Sequence, residues 1–159
     1  MVAQIYTEEH MGKTLGNIFG TTVTLGGKVD KNLLGEIVFN NTEKLEKLNS
    51  VVHPIVKEKI MGINHKARIV FVEMPLLFEA GFEKLFDAIV LVKCSQKTAL
   101  ERAKNKGTTE TRFGQITAMQ VRAEKVLARA DFVVDTEGNI AGTKKRAEEI
   151  AAELKAKTG

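Results

Sequence analysis

Three short, unbroken apolar runs rich in β-branched residues constrain this chain more than anything else in it. They are Arg68-Ile-Val-Phe-Val-Glu73, Asp87-Ala-Ile-Val-Leu-Val92 and Asp131-Phe-Val-Val-Asp135. A strand with one wet face alternates apolar and polar residues, whereas a continuous run suits a parallel strand covered on both faces. Helical patterns lie between and around these runs. Over Glu43 to Val52, Leu45, Leu48 and Val52 share one face, and His53-Pro54 then starts a new helix, with Pro54 in the first turn where its missing N–H costs little. Thr98 to Lys106 reads as a short helix and Glu110 to Ala130 as helical with a break. Near the C-terminus, Ala147, Ile150, Ala151 and Leu154 fall at i, i+3, i+4 and i+7, the spacing of an amphipathic helix. Gly26-Gly27 marks a turn and Gly107-Thr108-Thr109 a loop. Strands alternating with helices predict an α/β fold built on a mostly parallel sheet covered by helices.

Composition narrows the classes. The chain has 159 residues, a one-domain length, and its 43% hydrophobic and 28% charged residues are ordinary for a globular protein. A net charge of +4 suits anionic ligands, but no dense basic run points to nucleic acid. Cys94 is the sole cysteine, which excludes an intrachain disulfide and a multi-cysteine zinc site and fits a reducing compartment. The apolar stretch from Ile69 to Phe82 is broken by Glu73, Pro75 and Glu79, so no membrane span is expected. Glu8 and Glu9 interrupt the N-terminus before a leader-like apolar region develops, and the expected location is the cytoplasm. The patterns divide the chain into a helical region over 1–66, an α/β core over 67–102, a helical segment over 103–126, and a core strand with C-terminal helix over 127–159. Together these are expected to make one compact domain.

The most specific stretch is Val72-Glu-Met-Pro-Leu-Leu-Phe-Glu79, a strand running into a proline, an apolar ledge and an acid. Ligands of open α/β sheets sit at the carboxyl ends of the strands, which places this ledge where a ligand would lie. Spacing alone equally allows Leu76, Leu77 and Phe78 to be core filling. Taken in order, the segments VDKNLLGEIVF, LNSVVHPIV, VEMPLLFEAG, FDAIVLV, RFGQITAMQ and ARADFVVD resemble the dephospho-coenzyme A kinases, from about Leu15 to the C-terminus. The resemblance implies the fold of the P-loop nucleoside monophosphate kinases, with residues 1–66 as a substrate-binding region and 103–126 as a lid-like segment. It also implies an activity: ATP-dependent phosphorylation of the ribose 3′-hydroxyl of dephospho-coenzyme A, the last step of coenzyme A synthesis. ATP and dephospho-coenzyme A would be the partners, with Mg²⁺ as cofactor.

By the same resemblance, His53, Pro54, Leu76, Leu77, Phe78 and Glu79 would face the acceptor. Arg102, Lys106, Arg112 and Asp135 would face ATP, with Arg112 stabilising the transferred phosphoryl group, since a guanidinium forks onto phosphate oxygens. Lys106 stands where the family has arginine and Asp135 where it tends to have asparagine. Gln120 and Lys125 match motif positions, and each could equally cap or solvate a helix. The family's front segment, with its Walker strand, phosphate-cradling loop and a base, has no counterpart here, and no residue was assigned to bind metal. Thr7-Glu-Glu-His-Met-Gly12-Lys13-Thr14 ends in Gly-Lys-Thr, but it carries two carboxylates that would repel phosphates and reads better as the start of a helix. The chain is therefore expected to be part of a longer protein and inactive alone, with self-association through sheet edges left bare by the missing central strand. The alternative is a non-catalytic nucleotide- or partner-binding form of the same fold.

Overall fold

The computed structural model describes residues 8–39, 41–63, 69–121 and 123–157. Residues 1–7, among them Thr7 of the Gly-Lys-Thr segment, Arg68 and the 66/67 boundary lie outside them. The chain divides into two compact units, residues 1–63 and 64–159.

The first unit is built on α1 (Glu9–Phe19), the hairpin strands β1 (Thr24–Leu25) and β2 (Lys28–Val29), α2 (Lys31–Phe39) and α3 (Thr42–Met61). The Gly-Lys-Thr triplet lies inside α1, where the Gly12 N–H donates to the Glu8 carbonyl at 3.1 Å. Gly26 and Gly27 join β1 to β2 at φ 58° and 79°. A two-residue hairpin of the primed type needs positive φ at both positions, and glycine supplies it at no steric cost. Asp30 Oδ1 caps α2 by accepting from the Asn32 and Leu33 N–H groups, at 2.9 and 3.2 Å. Met11, Leu15, Val23, Val29, Leu34 and Val38 are buried together with the inner face of α3.

That third helix corrects the expectation of a break at His53-Pro54. It runs unbroken through Pro54, with Asn41 Oδ1 capping it by accepting from the Lys44 N–H at 2.9 Å. Leu48, Val52, Val56 and Ile60 repeat at i+4 on its buried face, across the proline. Proline inside a helix removes one hydrogen bond and costs about 3 kcal/mol. Burying four aliphatic side chains at about 1.5–3 kcal/mol each outweighs that cost.

In the second unit, β3 (Val90–Lys93) and β4 (Phe132–Asp135) pair in parallel, with Val90 opposite Phe132 and Lys93 opposite Asp135. Between them run α4 (Gln96–Asn105), α5 (Glu110–Met119) and the short α6 (Ala123–Val126); α7 (Ile140–Lys157) follows β4. Phe132, Val134 and Ile150 form a buried cluster with Ala88, Val90 and Leu154 packed around it, so α7 covers one face of β4. The run expected as a strand over 68–73 is not one: residues 69–74 belong to no ladder, and Val70 and Phe71 are 41% and 66% exposed. Apolar composition suits a strand, but a strand exists only where backbone groups find a ladder partner, and among the described residues this run has none. No helix among the described residues is long and apolar enough to cross a membrane.

Candidate functional site

The carboxyl ends of β3 and β4 are tied together by a clasp of polar side chains. Lys93 Nζ lies 2.7 Å from Asp135 Oδ2. Glu137 accepts from the Ser95 N–H at 2.6 Å, the Ser95 hydroxyl at 3.0 Å and the Thr98 hydroxyl at 2.6 Å. Ser95 in turn caps α4, its hydroxyl accepting from the Thr98 N–H at 3.2 Å. Arg102 reaches back from α4 to Thr136, donating to its hydroxyl at 2.9 Å and its carbonyl at 2.6 Å. The turn after each parallel strand is thus bound to its neighbour. Because parallel strands point the same way, both turns fall at the sheet end where α/β folds place ligands.

The electrostatics follow from these bonds. The Lys93 hydrogen bond, then the Glu137 N–H, hold the Asp135 carboxyl below its usual range. The Ser95 N–H, then the Thr98 and Ser95 hydroxyls, do the same for Glu137. Lys93 is raised by its hydrogen bond to Asp135 and by that carboxylate's charge. Two cations meet two carboxylates, so the clasp has no excess positive charge.

The predicted ledge forms a compact turn rather than a strand end. Gly81, at φ 68°, donates to the Phe78 carbonyl at 3.2 Å, and the Phe82 N–H donates to the Leu77 carbonyl at 3.1 Å. This pair of bonds is a Schellman closure, which wants glycine at the left-handed position and an apolar residue next, here the buried Phe82. Leu76, Leu77 and Phe78 are half-buried and Glu79 is exposed. The ledge is fastened to the segment after α5: Glu79 accepts from the Val121 N–H, and Gln120 donates to the Pro75 carbonyl at 3.5 Å. The Arg129 guanidinium stands 4.4 Å over the Phe78 ring and pairs with Glu83.

The remaining predicted residues are more scattered. Arg112 is half-buried in the first turn of α5, where its N–H donates to the Thr109 hydroxyl at 3.2 Å. Lys106 is exposed just past the end of α4. His53 is half-buried on α3 beside the exposed Pro54, and burial lowers its pKa. Arg102 and Asp135 come together through Thr136, whereas His53 and Pro54 belong to the first unit. Sequence reasoning missed Lys93, Ser95, Glu137 and Arg129. Ser95 had a legible signal, a serine opening a helix three residues before a threonine; nothing in the spacing announced Arg129. Among the described residues no three His, Cys, Asp or Glu side chains gather as a metal site, so none is assigned to Mg²⁺.

Residues 3–142 match the family described as dephospho-CoA kinase. The chain belongs to that family. Among dephospho-CoA kinase relatives, the protein of Agrobacterium fabrum is 34% identical over 141 residues, covering 85% of this chain and 72% of its own. That of Bartonella henselae is 36% identical over 126 residues, covering 76% of this chain and 65% of its own. A solved Thermus thermophilus structure, TT1252, superposes with a TM-score of 0.75 at 26% identity, over 96% of this chain and 80% of that one. The dephospho-CoA kinase of Campylobacter jejuni superposes at 0.64, also with 26% identity, over 99% and 85%. The parallel α/β architecture is therefore that of dephospho-CoA kinases, a P-loop kinase-like fold.

Proposed function

We propose that this chain serves the transfer of the ATP γ-phosphoryl group to the ribose 3′-hydroxyl of dephospho-coenzyme A, in the cytoplasm and with Mg²⁺. The family match over residues 3–142 carries this reading. By the family resemblance, the Leu76–Glu79 ledge of the second unit is assigned to acceptor binding, and so, separately, are His53 and Pro54 of the first. Asp135 and Arg102 would take the nucleotide ring side of ATP, and Lys106 and Arg112 its phosphates, with Arg112 meeting the charge that builds on the transferred group. Phosphoryl transfer also needs a loop whose free backbone N–H groups cradle the donor phosphates. Gly12-Lys13-Thr14 does not offer one, since it is wound into α1 with the Gly12 N–H spent on Glu8. The described residues thus supply the acceptor side better than the donor side.

Titration calorimetry on the 159-residue chain tests this. Dephospho-coenzyme A is expected to bind more tightly than ATP, and His53→Ala to weaken dephospho-coenzyme A alone; the reverse order of affinities overturns the reading. A coupled ADP-release assay is expected to show no turnover, and turnover abolished by Lys13→Ala would restore the Gly-Lys-Thr segment as a phosphate site. The helical placement of that triplet also favours a second reading, a non-catalytic nucleotide- or partner-binding protein of the same fold. Nucleotide binding without dephospho-coenzyme A binding would select it. Association of copies through the open edge of β3 belongs to the same proposal.

A further inference from the structure

Arg129 lies in the ARADFVVD segment that carries the family resemblance but was given no role there, yet it makes two contacts at the ledge. Its guanidinium covers the Phe78 ring at 4.4 Å, and it pairs with Glu83, which opens the 3₁₀ turn Glu83–Leu85 directly after the ledge turn. Glu83 is held in a confined place: its side chain is 25% exposed, and its Oε2 is buried without a hydrogen-bond partner among the described residues. A carboxylate so placed depends on the cation it pairs with, because removing the partner of a half-desolvated charge leaves that charge uncompensated. The other ties between ledge and segment are the Glu79 bond to the Val121 N–H and the Gln120 bond to the Pro75 carbonyl. All of them join 75–83 to 120–129, and Arg129 is the anchor at the far end, gripping both the apolar and the charged side of the turn.

We propose that Arg129 is a positioning residue that fixes the orientation of the Leu76–Glu79 ledge and so tunes affinity for the acceptor without touching it. This rests on the reading of that ledge as part of the acceptor site. Through Phe78 it sets the ring against which an apolar part of the acceptor would lie; through Glu83 it holds the turn that presents Leu76 and Leu77. Lysine can keep the ion pair but not the planar guanidinium stacked on the ring, so it restores only part of the effect. Methionine fills similar space without charge.

The test compares wild type, Arg129→Lys and Arg129→Met, with Lys104→Met as control for losing an exposed ion pair, here that with Glu110. Two quantities are read: Kd for dephospho-coenzyme A and for ATP by calorimetry, and hydrogen exchange at single amides. Arg129→Met is expected to weaken dephospho-coenzyme A binding roughly three- to thirtyfold, the span of a partly desolvated cation–π contact, and to leave ATP within about twofold. Arg129→Lys should fall between it and wild type. Exchange at Ala80, Gly81, Phe82 and Val121 should accelerate in Arg129→Met, while Val92 and Val134 stay protected as in wild type. A merely stabilising role would accelerate all of them together and would not separate the two ligands; that result overturns the proposal. So does unchanged exchange at Gly81 and Phe82, whatever the ligands do. Local acceleration in a protein whose wild type binds no dephospho-coenzyme A would uphold the anchor and remove the acceptor reading instead. Should Arg129→Met fail to fold, Glu83→Gln with Arg129→Lys carries the same comparison.

Discussion

Gly12 shows how one missing side chain can fix a fold. It is buried on the inner face of α1, and a Cβ built on it would stand 2.1 Å from the Gly27 carbonyl oxygen of the hairpin. Alanine gains about 1 kcal/mol over glycine from helix propensity. Overpacking typically costs about 1–3 kcal/mol, and here the obstacle is backbone, which no rotamer change relieves. The clash, set against backbone, lies at the costly end of that range and wins: Gly12→Ala should lower the urea midpoint, with a net loss of stability of up to about 2 kcal/mol. Gly16→Ala, one turn on, meets only the Thr24 methyl at an ordinary 3.5 Å and should be neutral or stabilising. Equal responses at the two positions would refute the argument. The sequence made the helical reading of Gly-Lys-Thr available, because carboxylates beside it are wrong for phosphate. It could not reveal the reason for Gly12, since the carbonyl concerned is brought there by a turn.

At the scale of elements, the clasp across β3 and β4 makes stability depend on pH in a direction that can be worked out. Asp135 and Glu137 are held below their ordinary values of 3.8 and 4.5. A carboxyl with a depressed folded pKa contributes stability that is present above its unfolded pKa and lost as pH falls through the folded one. Lys93 is raised, so its share is present below its ordinary 10.5 and is lost only as pH rises through the higher folded value. The clasp is thus whole at neutrality; its contribution begins to fall on the acid side as pH drops past the ordinary values and is lost as pH falls through the lower folded ones. Urea midpoints of wild type should drop through that window more steeply than those of an Asp135→Asn, Glu137→Gln double variant; parallel curves would mean that solvent screens the clasp away. Elements differed in how readable they were. β3, β4 and α7 were legible because apolar run and periodicity agree with what covers them. α3 was misread because a local rule about proline was outweighed by an aliphatic face running past it. The run at 69–74 was misread because composition reports what a segment could pair with, not whether a partner stands beside it.

For the whole molecule, the sheet of the second unit has only two described strands, and β3 is bonded on one side alone. Val92 stands 63% exposed on it, and Phe71 and Val70 are 66% and 41% exposed in the run at 69–74. Uncovered strand edges with apolar side chains pair with other chains. Sedimentation velocity over a range of concentrations should therefore show a mass that rises with concentration, and Phe71→Lys with Val92→Lys should return it to that of a monomer. A wild-type chain that sediments as a monomer at every concentration would end this expectation. The same exposed run has a consequence inside a cell. Apolar side chains left exposed are the mark by which chaperones and proteases sort unfinished chains from finished ones. Variants that make Val70 and Phe71 polar are therefore expected to accumulate to a higher level in a cell than wild type, a difference that an immunoblot reads directly.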